Sequence, residues 1–463
     1  MITKDLATRV LTECLATGAD FAEIFYEVKK TNTIGMVSKM IKNSDTSVIT
    51  GVGIRVLKDL QEAYGYTNEV NEASLMGLAS NLASSYNGAP LGIEFDLTYT
   101  ETPKMSTITR YSKDIPNSEK VKYLTATSDA AYAHSDKIVQ VMVNLTDETQ
   151  EVTIYNTNGL WRSDVRNHQR ITGTAVARDG EKMESYYDQY GGNFGVDFFE
   201  NYDWTNFGNI IAAGAINQLA AVDIPGGVYD VVIHNAFGGV IFHEACGHSL
   251  EATSVAKNLS VFSNKLGEQI ASTCVTAIDD GSIMDEWGSA GMDDEGNNTK
   301  KNVLIKDGIL TGYMIDSRNG RRMNMPATGN ARRESYKFSP TSRMTNTYID
   351  NGDSTCEEII SATKYGIFAK KMVGGSVNPA TGEFNFSVGE GYLIEDGKIT
   401  KPIKGATLIG NGSDTLLKID MVANNRTFGY GMCGSVSGSI PACVGQPTIR
   451  VRNMTVGGKG GNK

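Results

Sequence analysis

The chain of 463 residues is too long for one ordinary hydrophobic core, so its length predicts two or three domains. Hydrophobic residues make up 40% of the chain and charged residues 21%, a balance that excludes an intrinsically disordered protein. The formal net charge is −10, so non-specific nucleic-acid binding, which needs clustered Lys and Arg to neutralise phosphates, is not expected.

The first half of the chain alternates predicted helices with predicted strands. It begins with an amphipathic helix near 3–18, whose apolar residues recur at helical spacing between charged ones, and this start is not a signal peptide. Asn158-Gly159 predicts a two-residue hairpin turn, and the polar residues 86–118 indicate a connection. The other predicted helices lie near 70–85, 118–135 and 206–222, and the predicted strands near 21–28, 34–41, 47–57, 62–68, 138–145 and 150–156.

A Pro-Gly-Gly break at 225–227 marks the predicted domain boundary. We expect a mixed helix-and-strand N-terminal domain, 1–222, with room for two subdomains (about 1–85 and 118–222), and a C-terminal domain, 223–463. In the second half we predict a strand at 229–235, a helix at 239–257 and many hairpins. The fold class is therefore α+β, with a mainly antiparallel sheet in the C-terminal domain that also carries the helix 239–257.

Two of the predicted hairpins, at 302–316 and 391–403, share the pattern Leu-Ile-x-Asp-Gly-x-x-Thr. Asp-Gly is the favoured sequence for a two-residue hairpin turn, so both segments would carry it independently. The shared pattern therefore does not establish an internal duplication.

Six cysteines are sparse, irregularly spaced and without a C-x-x-C pair, so neither a disulfide framework nor a zinc ribbon is expected. No uninterrupted apolar run has the length of a membrane span, and the richest, 209–222, predicts a buried helix. We therefore expect a cytoplasmic protein with no membrane partner and no direct nucleic-acid partner.

The segment GGVIFHEACGHSLEA, residues 238–252, brings His243, Glu244 and His248 within six positions. Imidazoles are common zinc ligands, and a nearby carboxylate can take a proton from water bound to the metal. Histidines five residues apart point about 140° away from each other on a regular helix, at about 100° per residue. We therefore predict a π-type bulge between them, which Gly247 makes sterically easier.

A metal site competes with a second interpretation, in which the two histidines form a hydrogen-bonded pair in the core. Burying Glu244 and two imidazoles without partners would cost several kcal/mol, which favours the metal site. Two histidines do not hold zinc tightly, and spacing does not decide whether Cys246, Cys433 or Cys443 supplies a third ligand. The remaining histidines are isolated in the sequence, and a structural role is expected for them: His134, His168 and His234.

The chain resembles the TldD/PmbA metallopeptidases, also labelled modulators of DNA gyrase, and specifically the TldD branch with its H-E-x-x-x-H segment. The resemblance covers the second half almost continuously and the first half more loosely, in the first helix and in TGVGIRVL. Besides 238–252, the similar stretches in order are SVFSNKLGEQIAS (260–272), VLIKDGILTGYM (303–314), TGNARRESY (328–336), RMTNTYI (343–349), GGSVNPATGEF (374–384), YLIEDGKITKPIKGATLIGNG (392–412) and VGQPTIRVRNMTVGG (444–458).

The resemblance implies a metallopeptidase in which His243, His248 and Cys433 hold one divalent metal, zinc first and iron second. It also implies that Glu244 is the general base that activates metal-bound water. The implied substrates are unfolded or small modified peptides, and the implied partner is a PmbA-type (TldE) homologue in a heterodimer, or a second copy in a homodimer. The competing hypothesis is a non-catalytic peptide-binding or regulatory subunit of such a complex.

Overall fold

The computed structural model describes residues 2–378 and 381–459, so residues 379–380 of the stretch 374–384 lie outside the described part. The helices and strands of the first half, with one 3₁₀ turn at Ser112–Asp114, are α1 (Lys4–Cys14), β1 (Phe21–Val37), β2 (Met40–Lys58), β3 (Gln61–Thr67), α2 (Glu72–Ala83), β4 (Thr98–Tyr99), α3 (Asn117–His134), β5 (Ile138–Asn156), β6 (Leu160–Asp179), β7 (Lys182–Gly192), α4 (Val196–Asn201) and α5 (Trp204–Ala220).

The second half contains shorter elements and two further 3₁₀ turns, Phe237–Gly239 and Gly247–Leu250. Its elements are β8 (Val222–Asp223), β9 (Gly227–Ile233), α6 (Val240–Ala245), α7 (Ala252–Val255), β10 (Ala277–Asp280), β11 (Lys301–Lys306), β12 (Ile309–Leu310), α8 (Ser317–Met323), β13 (Ala331–Arg332), β14 (Thr341–Ser342), β15 (Asn346–Ile349), α9 (Cys356–Ser361), β16 (Tyr365–Val377), β17 (Glu383–Glu395), β18 (Lys398–Lys404), β19 (Thr407–Asn411), α10 (Gly412–Leu417), β20 (Ile419–Val422), β21 (Thr427–Ser435), β22 (Gly438–Gln446) and β23 (Ile449–Gly457).

The first half forms one sheet of long strands in the order β3-β2-β1-β5-β6, with β4 and β7 both paired to β6. The separate strands predicted at 21–28 and 34–41 were wrong, because β1 runs unbroken to Val37 and residues 38–41 cover the turn and the start of β2. The strands predicted at 138–145 and 150–156 were also wrong as separate elements, because both lie in β5. The polar residues between the predicted strands face each other across β1 and β5, where Asn32 pairs with Asp147 and donates a hydrogen bond to it at 2.8 Å. Polar groups that satisfy one another in this way allow the strand to continue.

The second half forms two larger sheets, ordered β12-β11-β10-β15-β22-β21 and β16-β9-β23-β19-β17-β18-β8. Most neighbours are antiparallel, with parallel exceptions such as β15 with β22 and β9 with β16, so the predicted α+β class is confirmed. The two Asp-Gly hairpins occur as predicted. In both, the Asp and the Gly have positive φ, as in Asp307 (48°) and Gly308 (84°), and the two hairpins belong to different sheets.

Buried ion pairs connect the first sheet to the loop at 293–297. The Arg55 guanidinium lies 3.2 Å from Glu23 and 2.7 Å from Glu295, and all three side chains are almost fully buried. Arg166 makes a further buried ion pair with Asp294 at 2.7 Å. Breaking one of these pairs would leave a buried charge without a partner or water, which would destabilise the fold. The ion pairs therefore favour one defined arrangement of the sheet and the loop.

The predicted division of the chain at 222/223 stays a prediction. In the structure, α5 ends at Ala220 and β8 (Val222–Asp223) already pairs with β18 in a sheet of the second half. Within 2–378 and 381–459, no helix combines the length and apolar character needed to span a membrane.

Candidate metal centre

The motif segment is not the single helix predicted at 239–257, and the predicted π-type bulge is also wrong. Helix α6 ends at Ala245, and Cys246 leaves helical geometry with φ −132° and ψ −47°. The chain then continues as the 3₁₀ turn Gly247–Leu250 and, after an extended residue, as α7. The break at Cys246 and the tighter turn together bring His248 round to His243, so that the two ring centroids lie 4.9 Å apart at an interplanar angle of 84°.

The broken segment makes close contacts with distant parts of the chain. A Cβ on Gly247 would lie 2.3 Å from the sulfur of Met344, and a Cβ on Gly412 would lie 1.8 Å from the carbonyl oxygen of Ala245. The Ala245 carbonyl leaves no room for a side chain at position 412, whereas a side chain at position 247 would require the Met344 side chain to move. The apolar side chains of α6 meanwhile pack in the main hydrophobic core of the second half: Val240, Ile241, Phe242 and Ala245.

Of the three cysteines considered from sequence, the structure brings Cys433 to the histidines. Cys433 lies on β21, the end strand of its sheet, and its Sγ is 3.4 Å from His243 Nε2 and 3.3 Å from His248 Nε2. Within the described part of the chain, the three atoms lie within 4.8 Å of one another. Cys246 is buried in the hydrophobic core, and the Cys443 thiol instead donates to Glu286 at 3.6 Å.

The electrostatics of this cluster favour a thiolate. Burial by itself would raise the pKa of Cys433, but the adjacent His243 and His248 outweigh it and lower the pKa to about 3. Burial likewise opposes the charged form of His248, yet Glu251 and Cys433 hold its pKa well above the ordinary value. The thiolate is the form of cysteine that binds metals.

The three side chains fit a divalent metal by two criteria. Zinc bond lengths of about 2.3 Å to sulfur and about 2.05 Å to nitrogen, at a tetrahedral angle, separate the two ligand atoms by about 3.5 Å. The observed separations of 3.4 and 3.3 Å between nitrogen and sulfur are close to this value. Imidazole and thiolate are also both zinc ligands, and three protein ligands with an open fourth position are the arrangement of catalytic zinc sites.

Glu244 lies beside this cluster. Its carboxylate oxygen is 3.8 Å from His248 Nε2, and its side chain is 22% exposed, compared with 13% for His248. The Nε2 atom of His248 also faces the donor atoms of His243 and Cys433. The Glu244 carboxylate is therefore close enough to exchange protons with a molecule bound between these three atoms.

Two further residues support the cluster, and the sequence analysis did not identify either of them. Glu251 lies 3.2 Å from His248 Nδ1, the ring nitrogen that faces away from Cys433. The fully buried Arg343 is 3.9 Å from Glu251 and also donates to the backbone carbonyl of Cys433. Glu251 follows His248 by three residues, a spacing that would have indicated it, whereas no local pattern indicates Arg343.

Replacing Glu251 by Gln is expected to weaken metal binding by about 10- to 100-fold, the usual effect of losing the outer partner of a histidine ligand. The carboxylate fixes the orientation of His248 and makes its Nε2 more basic, and the amide does this less well. Competition with a chromophoric chelator measures the affinity. The exposed Glu268, changed to Gln, is the matched control, and equal affinities of the two variants would contradict a supporting role for Glu251.

The remaining histidines have other surroundings. His234 forms a hydrogen bond through Nδ1 with the Thr448 hydroxyl at 3.0 Å. His168 packs edge-on against Trp287 at 5.0 Å, and burial lowers its pKa to about 3. His134 is the last residue of α3. None of these three joins the cluster formed by His243, His248 and Cys433.

Sequence models of three consecutive domains match the chain. The PmbA/TldA metallopeptidase domain 1 matches residues 22–85, the central domain 110–219 and the C-terminal domain 226–458. Among curated proteins, a "Metalloprotease TldD homolog" of Haemophilus influenzae is 36% identical over 95% of this chain and 93% of its own length. A "Metalloprotease" of Methanothermobacter thermautotrophicus is 31% identical over 95% and 96%.

Solved structures share the fold at low sequence identity. A Thermotoga maritima protein described as a modulator of a DNA gyrase has a TM-score of 0.79 at 22% identity, over 98% of this chain and 99% of its own. TldE from Thermococcus kodakarensis has a TM-score of 0.74 at 18% identity, over 98% of both chains.

Proposed function

Since the chain belongs to the PmbA/TldD metallopeptidase family, we propose that it is a metal-dependent peptidase whose centre is formed by His243, His248 and Cys433. The observation that supports this assignment is the convergence of two imidazole nitrogens and one thiol sulfur within 4.8 Å. The names of the relatives supply the class of reaction, and the geometry supports these three residues as the ligands of the metal.

In the proposed reaction, His243, His248 and Cys433 would hold a divalent ion, which would supply a Lewis acid for the scissile carbonyl. Glu244 takes the proton of the attacking water and then delivers it to the leaving amine. Cys433 and the two histidines act as ligands, and Glu251 keeps His248 oriented through its Nδ1. The partial exposure of Glu244 leaves its carboxylate room to reach a substrate.

Zinc is the proposed metal and iron the second choice. A mixed nitrogen and sulfur donor set in tetrahedral spacing suits Zn²⁺, whereas Mg²⁺ and Ca²⁺ prefer oxygen ligands. Two neutral imidazoles and one thiolate would leave a divalent centre with a net charge of +1, so it would still attract a carbonyl oxygen.

The proposed substrates are unfolded or small modified peptides, and the proposed location is the cytoplasm. The proposed assembly is a heterodimer with a TldE-type homologue, or else a homodimer, and it is supported by the close fold similarity to a TldE. A peptide-maturation role follows from these proposals. The alternative is a non-catalytic peptide-binding subunit. It would give no role to the three donor atoms or to the adjacent Glu244 carboxylate, so the peptidase is favoured.

Metal removal tests this function directly. Dialysis against a chelator is expected to abolish cleavage of an unfolded peptide, and about one equivalent of Zn²⁺ per chain is expected to restore it. Mass spectrometry of the products measures the turnover, with and without a TldE-type partner. Full cleavage by the metal-free chain would contradict the proposal, and so would a metal-loaded chain that cleaves no peptide in either condition.

A further inference from the structure

The adjacent arginines of TGNARRESY (328–336) have different surroundings, and only one has an ion-pair partner. Arg333 is buried, lies 2.6 Å from Glu23 and also donates to the backbone carbonyl of Asp294. Arg332 donates to the backbone carbonyl of Met344 at 2.7 Å and lines a cleft of about 460 Å³. The metal centre uses neither arginine.

This cleft adjoins the strand that carries the candidate metal-binding thiol. One wall is the β21–β22 hairpin, from which Met432, Ile440 and Pro441 line the cleft. Ile440 is the direct cross-strand partner of Cys433, so the wall and the thiol lie at the same level of the hairpin. Strand β6 of the first sheet also lines the cleft, with Arg166, His168 and Arg170. A peptide that reaches the metal centre along this hairpin would meet the cleft.

The other charged groups of the cleft are mostly paired. Lys29 lies 3.6 Å from Glu148, and Arg166 lies 2.7 Å from Asp294. The Glu334 carboxylate accepts a hydrogen bond from the backbone N–H of Ser439 at 2.7 Å. The acidic groups that line the cleft therefore already have partners.

Two arginines of the cleft have no carboxylate as an ion-pair partner among the described residues. Arg170 donates to the Tyr187 hydroxyl at 3.1 Å, and Arg332 has only the Met344 carbonyl. Neither has a carboxylate oxygen within 4.0 Å among the described residues. Burial lowers the pKa of Arg332 to about 10, since the nearby Asp294 does not offset its loss of hydration. A guanidinium held partly out of water without a counter-ion is an open site for an anion.

We propose that this cleft is a substrate subsite in which Arg332 binds a carboxylate of the peptide. The proposal rests on the peptidase function and adds a substrate preference to it. A guanidinium pairs with a carboxylate through two parallel hydrogen bonds, and Arg170 adds positive charge to the same cleft. The carboxylate comes either from the C-terminus of the peptide or from an Asp or Glu side chain within it, and the ligands tested below separate these sources.

Direct binding to the metal-loaded Glu244→Gln chain tests the subsite without turnover. The probes are N-terminally labelled unfolded peptides of one sequence, ending in a free acid or in an amide, each with a single internal Glu or Gln. Fluorescence anisotropy measures the Kd. One carboxylate source is expected to tighten binding by about 10-fold or more, the size of a charge-assisted hydrogen-bonded pair. Preference for the free acid indicates the C-terminus, and preference for the internal Glu indicates the side chain.

The variant Arg332→Gln is expected to remove that preference by weakening binding of the carboxylate-bearing peptide alone. Arg178→Gln, an exposed arginine of β6 outside the cleft, is the matched control and is expected to keep the preference. Arg332→Lys keeps the charge and is expected to restore part of it. A purely structural role, through the Met344 carbonyl, would instead weaken all peptides equally and lower the unfolding temperature.

Three results would contradict the proposed subsite. Equal binding of all four peptides by the Glu244→Gln chain would contradict the subsite and leave the peptidase function standing. A preference that persists in Arg332→Gln would also contradict it. Absence of binding by every peptide, with and without a TldE-type partner, would contradict the subsite, and the metal-removal experiment tests the peptidase function separately.

Discussion

Replacing Glu244 by Gln is expected to lower kcat for peptide hydrolysis by about 10²- to 10⁴-fold, the usual contribution of a general base, while the metal content stays unchanged. The amide matches the carboxylate in size but cannot accept a proton from the attacking water. Because Glu244 lies beside the cluster, 3.8 Å from His248 Nε2, its loss leaves the three proposed ligands in place.

Turnover of an unfolded peptide and the metal content of the same preparation, measured together, separate this role from a structural one. The exposed Glu268, changed to Gln, is the control and should keep both properties. A Glu244→Gln chain with full activity would remove Glu244 as the base. A variant that loses its metal would make Glu244 part of the metal site instead.

The second large effect is expected at Cys433. Changing it to Ala should lower metal affinity by at least about 10³-fold, because two histidines alone do not hold zinc tightly. Cys433 is 8% exposed, so its replacement leaves the surface of the chain almost unchanged. Hydrolysis should be lost together with the metal.

Cys443→Ala is the matched control, since Cys443 is also a buried cysteine of the same hairpin but faces Glu286. It should retain one metal per chain. The assignment would be wrong if Cys433→Ala kept stoichiometric metal and Cys443→Ala lost it.

The parts of the fold that follow local rules could be predicted from the sequence. The Asp-Gly turns form because those residues tolerate positive φ, and the first helix forms because its apolar residues share one face. The division of β1 and β5 into shorter strands was wrong, because polar residues such as Asn32 and Asp147 satisfy each other across the two strands. Their partners lie more than 100 residues away, where local patterns give no information.

The backbone of the motif segment, 238–252, could be predicted only in part. Its histidine spacing indicated that a regular helix could not bring His243 and His248 together, and this expectation of irregular backbone was right. The irregular segment packs at Gly247 against Met344 and at Ala245 against Gly412, residues that lie far from it in the chain. A break into a 3₁₀ turn therefore could not be distinguished from a π-type bulge by local reasoning.

The third proposed metal ligand also could not be predicted from local sequence patterns. Spacing left three cysteines open, and only the family resemblance pointed to Cys433, whose sulfur the fold brings within 3.4 Å of both histidines. Arg343 joins Glu251 to the backbone of Cys433 across 90 residues or more, and no motif indicates it.

Zinc K-edge X-ray absorption on the metal-loaded chain tests the central claim, a single centre with two imidazole ligands and the Cys433 thiolate. We expect one sulfur at about 2.3 Å and nitrogen or oxygen neighbours at about 2.0–2.1 Å, with imidazole scattering. The sulfur shell should remain in Cys443→Ala. A spectrum without sulfur in the unmodified chain, or one whose sulfur shell disappears in Cys443→Ala, would contradict it.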